Sequence, residues 1–242
     1  VEIHYDADLP SRSGLGTSSS FAVGLANSLA GLKGSLKSKE YLADKAIYWE
    51  RELLKEKGGL QDQIAASFGG FNYIKFFNKS SYSVNPIPFN LEKISELESR
   101  LLLVYVPKSR ISSNHSVENH LNNSDTLKKL DFINEIAEKS ISYLEDYQFD
   151  NLGELLDETW KFKKSFVNTS SPLIDEIYRE IKISGCIGSK LLGAGGGGFM
   201  LAWCKEGERN RVQSSLKDKN IFSLKFKIDF EGSKFLYVQN NN

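Results

Sequence analysis

The sequence predicts an α+β fold in which antiparallel sheets carry helices on one face. The order of the elements supports this prediction, because strand patterns follow one another directly and helical patterns are grouped in longer runs. At 242 residues the chain is long enough to bury a substantial core in one large domain or two small ones. Its content of 40% hydrophobic and 26% charged residues is typical of a globular protein.

The first part of the chain begins with a strand pattern and continues with helices. Apolar and polar residues alternate over residues 1–9, and this predicted strand ends at Pro10. Helical spacing then predicts three helices, at residues 21–32, 38–58 and 60–68. Ser38 is the expected N-cap of the second helix. Two neighbouring strand patterns follow, at residues 71–77 and 82–87.

The remaining chain is mainly helical, with strands at both ends. A continuous apolar run predicts a buried strand over residues 101–106, and the polar stretch 109–125 is typical of a loop. Three helical patterns follow, at residues 125–146, 152–166 and 173–184. The last part predicts three strands, at residues 199–204, 224–230 and 234–238. A charged helix at residues 208–216 lies between the first two of these strands.

Composition and residue spacing argue against several classes of partner. Lys and Arg total 31, as do Asp and Glu, so net charge gives no support for binding to nucleic acid. No apolar run is long enough to span a bilayer. Cys186 and Cys204 lack the spacing of a disulfide framework or zinc site, which favours a cytoplasmic location. The three histidines lack zinc-ligand spacing and predict no metal site: His4, His115 and His120.

A glycine and hydroxyl loop between residues 10 and 20 leads directly into the first predicted helix. Glycines allow successive backbone N–H groups to face one anion, and the helix adds the positive end of its dipole. The loop therefore predicts a phosphate site, although a simple turn with a serine helix cap would share much of this composition. Its candidate contacts are Pro10, Ser13, Gly14, Leu15, Gly16, Thr17, Ser18 and Ser19.

Two carboxylates follow on the next helices. Glu50 lies close to the apolar stripe of its helix, so it faces either a cleft or solvent. Asp62 lies between Gln61 and Gln63 at a helix start, where the dipole stabilises an anion. It is either a functional carboxylate or an acidic residue that stabilises the first turn.

A second glycine run occupies residues 193–198 just before an apolar strand. Four consecutive glycines are entropically costly, which favours close approach of the backbone to a ligand over a turn without function. Arg110 follows a strand end, where it either binds an anionic group or lies exposed.

Together these segments resemble the GHMP kinase superfamily. The loop from Pro10 to Ser19 is similar to the family's ATP phosphate loop, and residues 190–198 are similar to its third, glycine-rich motif. Glu50 and Asp62 match the family's helix glutamate and catalytic aspartate. Residues 58–72 most resemble the bacterial D-glycero-D-manno-heptose 7-phosphate kinase branch. The chain starts at Val1 and its only methionine is Met200, so we expect translation to start upstream; the family's first motif has no counterpart here.

The resemblance implies a fold and an organisation in two domains. The implied fold has a ribosomal protein S5 domain 2-like N-terminal part and a ferredoxin-like α/β C-terminal part. We expect residues 1–95 to form the remainder of the N-terminal, ATP-binding domain and residues 96–242 to form the C-terminal domain. The family also makes a homodimer conceivable.

The resemblance further implies an ATP-dependent sugar kinase that uses Mg²⁺. Asp62 would be the catalytic residue, and Ser18 with Glu50 would bind the metal. The expected substrate contacts are Gln61, Arg110, Lys163, Gly195, Gly196 and Gly197. The expected acceptor is the anomeric hydroxyl of a heptose 7-phosphate. Another GHMP sugar kinase, such as an L-fucose kinase, and a catalytically inactive nucleotide-binding or sugar-binding relative are the alternatives.

Overall fold

The computed structural model describes residues 2–9, 13–78, 81–107, 123–166, 170–193 and 195–236, with the backbone alone for residues 123–130 and 166. The chain is α+β, as predicted. Its internal contacts divide it into two compact units. The first unit consists of Val1–Pro88 and Ile228–Asn242, and the second of Phe89–Lys227. The domain boundary after residue 95 stays a prediction.

The first unit is built on three helices and a hairpin. The helices are α1 (Thr17–Leu32), α2 (Lys39–Ile47) and α3 (Gln61–Phe68), and a π-helical segment, Tyr48–Leu53, continues α2. Small apolar side chains such as Ala22, Ala26 and Ala46 let α1 and α2 pack closely in a buried cluster with Val23 and Leu42. Ser38 caps α2, as expected, by accepting a hydrogen bond from Tyr41 N at 3.2 Å. The strands β1 (Asn72–Asn78) and β2 (Ser81–Pro86) pair antiparallel.

The second unit contains a four-stranded antiparallel sheet with strand order β4-β5-β3-β6. Its strands are β3 (Leu101–Val106), β4 (Cys186–Leu191), β5 (Gly198–Cys204) and β6 (Ser223–Leu224). Its helices are α4 (Leu91–Arg100), α5 (Asn123–Glu145), α6 (Phe149–Phe166), α7 (Pro172–Ile183) and α8 (Arg209–Asp218). Side chains such as Leu102, Trp160, Ile181 and Met200 form its core. Of the described residues, no helix combines the length and apolarity needed to span a membrane.

Two strand predictions at the ends of the chain are wrong. Residues 2–7 have no regular structure and are exposed, because no described strand pairs with them. In the predicted strand 224–230 only Leu224 belongs to β6, and residues 225–236 form no strand. Residues 228–236 instead belong to the first unit, where Gly70 N donates to Asp229 O at 2.6 Å. Residues 237–238 lie outside the described residues.

Two elements were missed by the sequence patterns. The helix α4 carries only a few apolar residues, and Asn90 caps it by accepting from Lys93 N at 2.8 Å. The strand β4 contains Gly188, Ser189 and Lys190, which weaken its strand signal. Pairing with the apolar strand β5 determines its structure, and Cys186 lies opposite Cys204 with the two thiol Sγ atoms 3.7 Å apart.

Candidate active site

The helix α1 begins with free backbone donors. Gly14 and Gly16 have φ values of 82° and 69°, the left-handed region that favours glycine. The first helical hydrogen bond runs from Ser20 N to Gly16 O at 2.9 Å. No side chain of the described residues caps this helix, and its first turn contains no acidic residue. Its first N–H groups and its dipole therefore remain available for an anion.

The hydroxyl groups around this helix start have different surroundings. Ser13 is buried, and its Oγ has no hydrogen-bond partner among the described residues. A buried hydroxyl without a partner is costly, so a ligand oxygen at this point would satisfy it. Thr17 is half-buried and Ser18 is exposed, whereas Ser19 is buried. Pro10 lies outside the described residues.

Glu50 is a buried carboxylate on the π-helical segment. Only 3% of its surface is exposed. Its Oε2 accepts hydrogen bonds from Ser19 Oγ at 2.9 Å and from Gln63 Nε2. The wider turn, in which Leu54 N donates to Trp49 O, is the type of helical irregularity that often occurs at functional sites. Glu50 thus joins α1 and α3.

Asp62 lies at the start of α3 and directly beside the glycine loop. A Cβ placed on Gly16 would be 3.5 Å from Asp62 Cβ, so this side chain lies next to the loop with room for little more than a methyl group between them. Partial desolvation, and then the negative charge of Glu50, raise the pKa of Asp62, whereas the Arg51 guanidinium opposes the shift. Its carboxylate thereby becomes a stronger base than an ordinary aspartate.

The turn before Asp62 is held by Arg51. Its Nη1 and Nη2 donate to Glu56 O at 3.2 Å and to Gly59 O at 2.6 Å. These bonds fix the chain between the π-helical segment and α3. The predicted substrate contact Gln61 is exposed, with its amide against Gly59.

A groove of about 490 Å³ runs along α1 and the π-helical segment. Ser18 and Glu50 both line it, together with apolar side chains such as Phe21, Trp49 and Leu53. The structure thus brings together the two predicted metal ligands, although the hydroxyl that bonds Glu50 belongs to Ser19. Both described bonds to Glu50 use Oε2, so Oε1 has no described donor. A carboxylate oxygen and a hydroxyl in one groove are ligands that fit Mg²⁺.

The second glycine run forms the loop between β4 and β5. Its described glycines have φ values between 71° and 129°: Gly193, Gly195, Gly196, Gly197 and Gly198. Leu192 N donates to Phe199 O at 2.9 Å and closes the hairpin. Lys163 Nζ donates to Gly193 O at 2.8 Å, so this predicted contact lies beside the loop. Burial lowers the pKa of Lys163. Arg110 lies outside the described residues.

Sequence reasoning missed three residues of these sites. The Gln63 amide bonds Glu50, the Arg51 guanidinium holds the preceding turn, and Lys190 lies near Lys163. The position of Gln63 next to Asp62 indicated that it could belong to the site. The direction of its side chain, however, followed only from the helix geometry of α3. The predicted residues of the phosphate loop, Glu50 and Asp62 belong to the first unit. Lys163 and the second glycine run belong to the second unit.

Comparison with known proteins links both units to one family. The family model described as the GHMP kinases N terminal domain matches residues 1–70, and that described as GHMP kinases C terminal matches residues 140–221. The D-glycero-alpha-D-manno-heptose 7-phosphate kinase of Campylobacter jejuni is 31% identical over 237 residues, which cover 96% of this chain and 69% of that protein.

Two further relatives extend the comparison. The crystal structure of a D-glycero-D-manno-heptose 1-phosphate kinase from Bacteroides thetaiotaomicron superposes with a TM-score of 0.74 at 25% identity, over 93% of this chain and 64% of that one. The bifunctional fucokinase/GDP-fucose pyrophosphorylase of Arabidopsis thaliana is 29% identical over 90% of this chain and 21% of its own length. The chain thus spans less than two thirds of both. The matches to both family models and to the Campylobacter relative show that this chain belongs to the GHMP kinases, a family of phosphotransferases.

Proposed function

We propose that this chain is an ATP-dependent sugar kinase that phosphorylates the anomeric hydroxyl of a heptose 7-phosphate. The observation that carries the proposal is the position of Asp62 next to Gly16. It puts a carboxylate of raised pKa beside the uncapped start of α1. A phosphoryl group bound at that helix start would lie next to a group suited to receive a hydroxyl proton.

The phosphate loop would bind the triphosphate through its backbone. The free N–H groups of the first turn and the buried Ser13 hydroxyl are donors without described partners. Because they are fixed before the substrate arrives, they stabilise developing negative charge without reorganisation. Pro10, Leu15, Thr17 and Ser19 stay predicted contacts of ATP. Ser19 would act through Glu50, to which it is bonded.

Asp62 would orient the acceptor hydroxyl and take its proton as the bond from the hydroxyl oxygen to the γ-phosphorus of ATP forms. The bond from that phosphorus to the β–γ bridging oxygen would break, and this oxygen would leave with ADP. Gln61, exposed at the same helix start, would bind a neighbouring sugar hydroxyl. Glu50 and Ser18 would hold Mg²⁺. When bound, Mg²⁺ neutralises charge on the phosphate oxygens. Arg51 keeps Asp62 in place by holding the turn before it.

The second glycine loop would approach the sugar closely, because Gly195, Gly196 and Gly197 have no side chains. Lys163 and Arg110 stay predicted contacts of the substrate phosphate. A phosphorylated heptose is supported as acceptor by two relatives, which are named for a heptose 7-phosphate and a heptose 1-phosphate. The Arabidopsis relative supports L-fucose as the second candidate.

An ATP-consumption assay over a panel of sugars tests this proposal. The panel contains heptose 7-phosphate, heptose 1-phosphate, free heptose, L-fucose and galactose. We expect turnover with heptose 7-phosphate, and a loss of at least about a hundredfold in kcat in Asp62→Asn with little change in ATP binding. Turnover of L-fucose alone would keep the assignment as a sugar kinase but would make L-fucose the acceptor. ATP binding without turnover of any sugar would indicate an inactive relative.

A matched variant separates a chemical role of Asp62 from a structural one. Asp229 lies in the same unit, and its Oδ1 accepts from Glu231 N at 2.7 Å and Gly232 N at 3.1 Å, away from the proposed chemistry. Asp229→Asn keeps an Oδ1 acceptor for both N–H groups, so kcat should stay near that of the unchanged protein, whereas Asp62→Asn should lose kcat without a loss of stability. If Asp62→Asn turns over heptose 7-phosphate at the unchanged rate, the assigned mechanism is wrong.

A further inference from the structure

The second unit contains a largely apolar cavity, and the kinase proposal uses only one of its lining residues, Lys163. The cavity has a volume of about 550 Å³ and lies between α5, α6 and the strands β4 and β5. Its wall is largely apolar, with contributions from Phe132, Ile136, Leu155, Phe162 and Trp203. The volume is within the range of about 300 to 1,000 Å³ that is usual for small-molecule sites. The cavity therefore has the size and surface of a site for an apolar group.

The charged groups on the described wall are both cationic. The hydroxyls of Ser140 and Thr159 donate to Ile136 O at 2.8 Å and to Leu155 O at 2.7 Å, so both are bonded to their own helices. The remaining polar side chains are Lys163, Lys190 and the indole of Trp203, whose Nε1 donor has no partner among the described residues. None of the described residues that line the cavity has a carboxylate. A negatively charged group would therefore find complementary charge here.

The two lysines differ in their bonding. Lys163 donates to the Gly193 carbonyl at 2.8 Å, whereas Lys190 has no acceptor among the described residues. Burial, and next the charge of Lys163, lower the pKa of Lys190 to about 8. Two neighbouring amines without a carboxylate repel each other, and an anion between them would remove that repulsion. Lys190 is thus the expected contact of an anionic head group.

We propose that this cavity binds an amphiphilic anion, with a linear alkyl chain on the apolar wall and a carboxylate or phosphate head group on Lys190. A small inorganic anion would leave the apolar wall without a ligand, and an uncharged hydrocarbon would leave the amines without a counter-charge. The wall offers no free acceptors for several sugar hydroxyls, so the sugar ring of a substrate whose phosphate contacts Lys163 would lie outside the cavity. The proposal rests on Lys190 and the apolar wall, and it does not depend on the kinase activity.

Isothermal titration calorimetry with dodecanoate, kept below its micelle concentration and without ATP or sugar, tests the proposal. We expect saturable binding of one molecule per chain, with affinity that rises by up to about fourfold for each methylene from octanoate to dodecanoate. Dodecyl phosphate distinguishes a phosphate head group from a carboxylate. Dodecyltrimethylammonium has the same tail and the opposite charge, and it should bind at least tenfold more weakly. Equal affinity of this cation, or binding of neither anion, would overturn the proposal.

Two pairs of variants locate the site. Ala137→Trp fills part of the cavity, whereas Ser142→Trp adds the same ring on an exposed position of the same helix. Lys190→Met removes the head-group charge, and Lys217→Met removes an exposed lysine of the same unit. Ala137→Trp and Lys190→Met should each weaken dodecanoate binding at least tenfold, and both controls should retain it. Unchanged binding in Lys190→Met would refute the site even if Ala137→Trp failed to fold.

Discussion

Ser19 donates its hydroxyl to Oε2 of Glu50 at 2.9 Å, and this buried bond ties the start of α1 to the π-helical segment. Ser18, the preceding residue, is exposed and lines the groove into which Glu50 also projects. Two adjacent hydroxyls thus have separate surroundings. One is bonded within the protein and the other is available to a ligand.

Because Ser19 is bonded to Glu50 and Ser18 is exposed, alanine at Ser19 should affect stability and alanine at Ser18 should affect the Mg²⁺ dependence of turnover. Ser19→Ala removes one of the two bonds to a buried carboxylate and should lower the free energy of unfolding by about 1.5 to 3 kcal/mol. Ser18→Ala should leave stability within about 0.5 kcal/mol and raise the Mg²⁺ concentration for half-maximal turnover about tenfold. Urea unfolding and a Mg²⁺ titration of ATP turnover measure the two effects. An exchange of the two outcomes would assign the metal contact to Ser19.

Gly16 provides a second test, with Gly34 as its control. Both have left-handed backbones, with φ of 69° and 66°. Alanine at either position should therefore cost about 1 to 2 kcal/mol of unfolding free energy. Only the Cβ at Gly16 would contact Asp62, since nothing lies within 4 Å of a Cβ at Gly34.

Turnover should therefore fall at least tenfold in Gly16→Ala and remain near that of the unchanged protein in Gly34→Ala. Steady-state kinetics at a temperature where both variants are folded measures the difference. Equal kcat values for the two variants would show that the contact with Asp62 has no catalytic consequence.

The sequence predicted the local structure around the candidate site well. Glycine spacing and helix periodicity identified the loop and α1, and Ser38 identified the start of α2. Side-chain direction was less predictable, because it depends on packing between separate elements. The π-helical turn changes which residues share a face, and no periodic pattern distinguishes Ser18 from Ser19. Family resemblance suggested the metal ligands, but the partner of Glu50 became clear only when α1 and α3 were packed together.

The lowered pKa of Lys190 should make the free energy of unfolding depend on pH. Its pKa is lowered from 10.5 to about 8, so burial disfavours its charged form. Below pH 8 the amine is charged in both the folded and unfolded states, and the cost of burial is fully present. Between pH 8 and 10.5 the unfolded chain binds more protons, so this residue's contribution to the unfolding free energy becomes more favourable as pH rises.

Lys190→Met should therefore be more stable than the unchanged protein at pH 7, and this difference should shrink towards pH 10.5. Urea unfolding at pH 7, 8, 9 and 10 measures it. Lys217→Met is the control, and its effect should stay within about 0.5 kcal/mol at every pH. A constant difference between Lys190→Met and the unchanged protein would contradict the assigned titration.

The segment after β6 predicts a further stability effect. A Cβ on Gly232 would lie 2.2 Å from Ser67 O, whereas a Cβ on Gly207 would have nothing within 4 Å. Both glycines have left-handed backbones, with φ of 66° and 73°. Gly232→Ala should cost about 2 to 5 kcal/mol of unfolding free energy and Gly207→Ala about 1 to 2 kcal/mol, as measured by thermal or urea unfolding. Equal losses would mean that the close contact relaxes without cost.

The strand predictions failed where contacts with a distant element, and not the local sequence pattern, determine the backbone conformation. Apolar positions alternate over residues 226–230, yet residues 228–236 lie against α1, α2 and α3 as irregular chain. Lys39 Nζ donates to Glu231 O at 2.8 Å, and Asn27 Nδ2 donates to Ser233 Oγ at 3.0 Å. These two bonds join residues 192 and 206 positions apart, which no local pattern reveals. For β4 the opposite occurred, since pairing with β5 made a strand from a weak pattern.

Residues 228–236 belong to the first unit but follow the second unit in the sequence, which affects the order in which the two units are completed during synthesis. A ribosome completes the phosphate loop, Glu50 and Asp62 early, but the backbone that contacts Gly69 and Gly70 emerges only after the whole second unit. During synthesis all residues of the second unit are therefore present before residues 228–236 emerge. The first unit gains its contacts with these residues only after the second unit has been made.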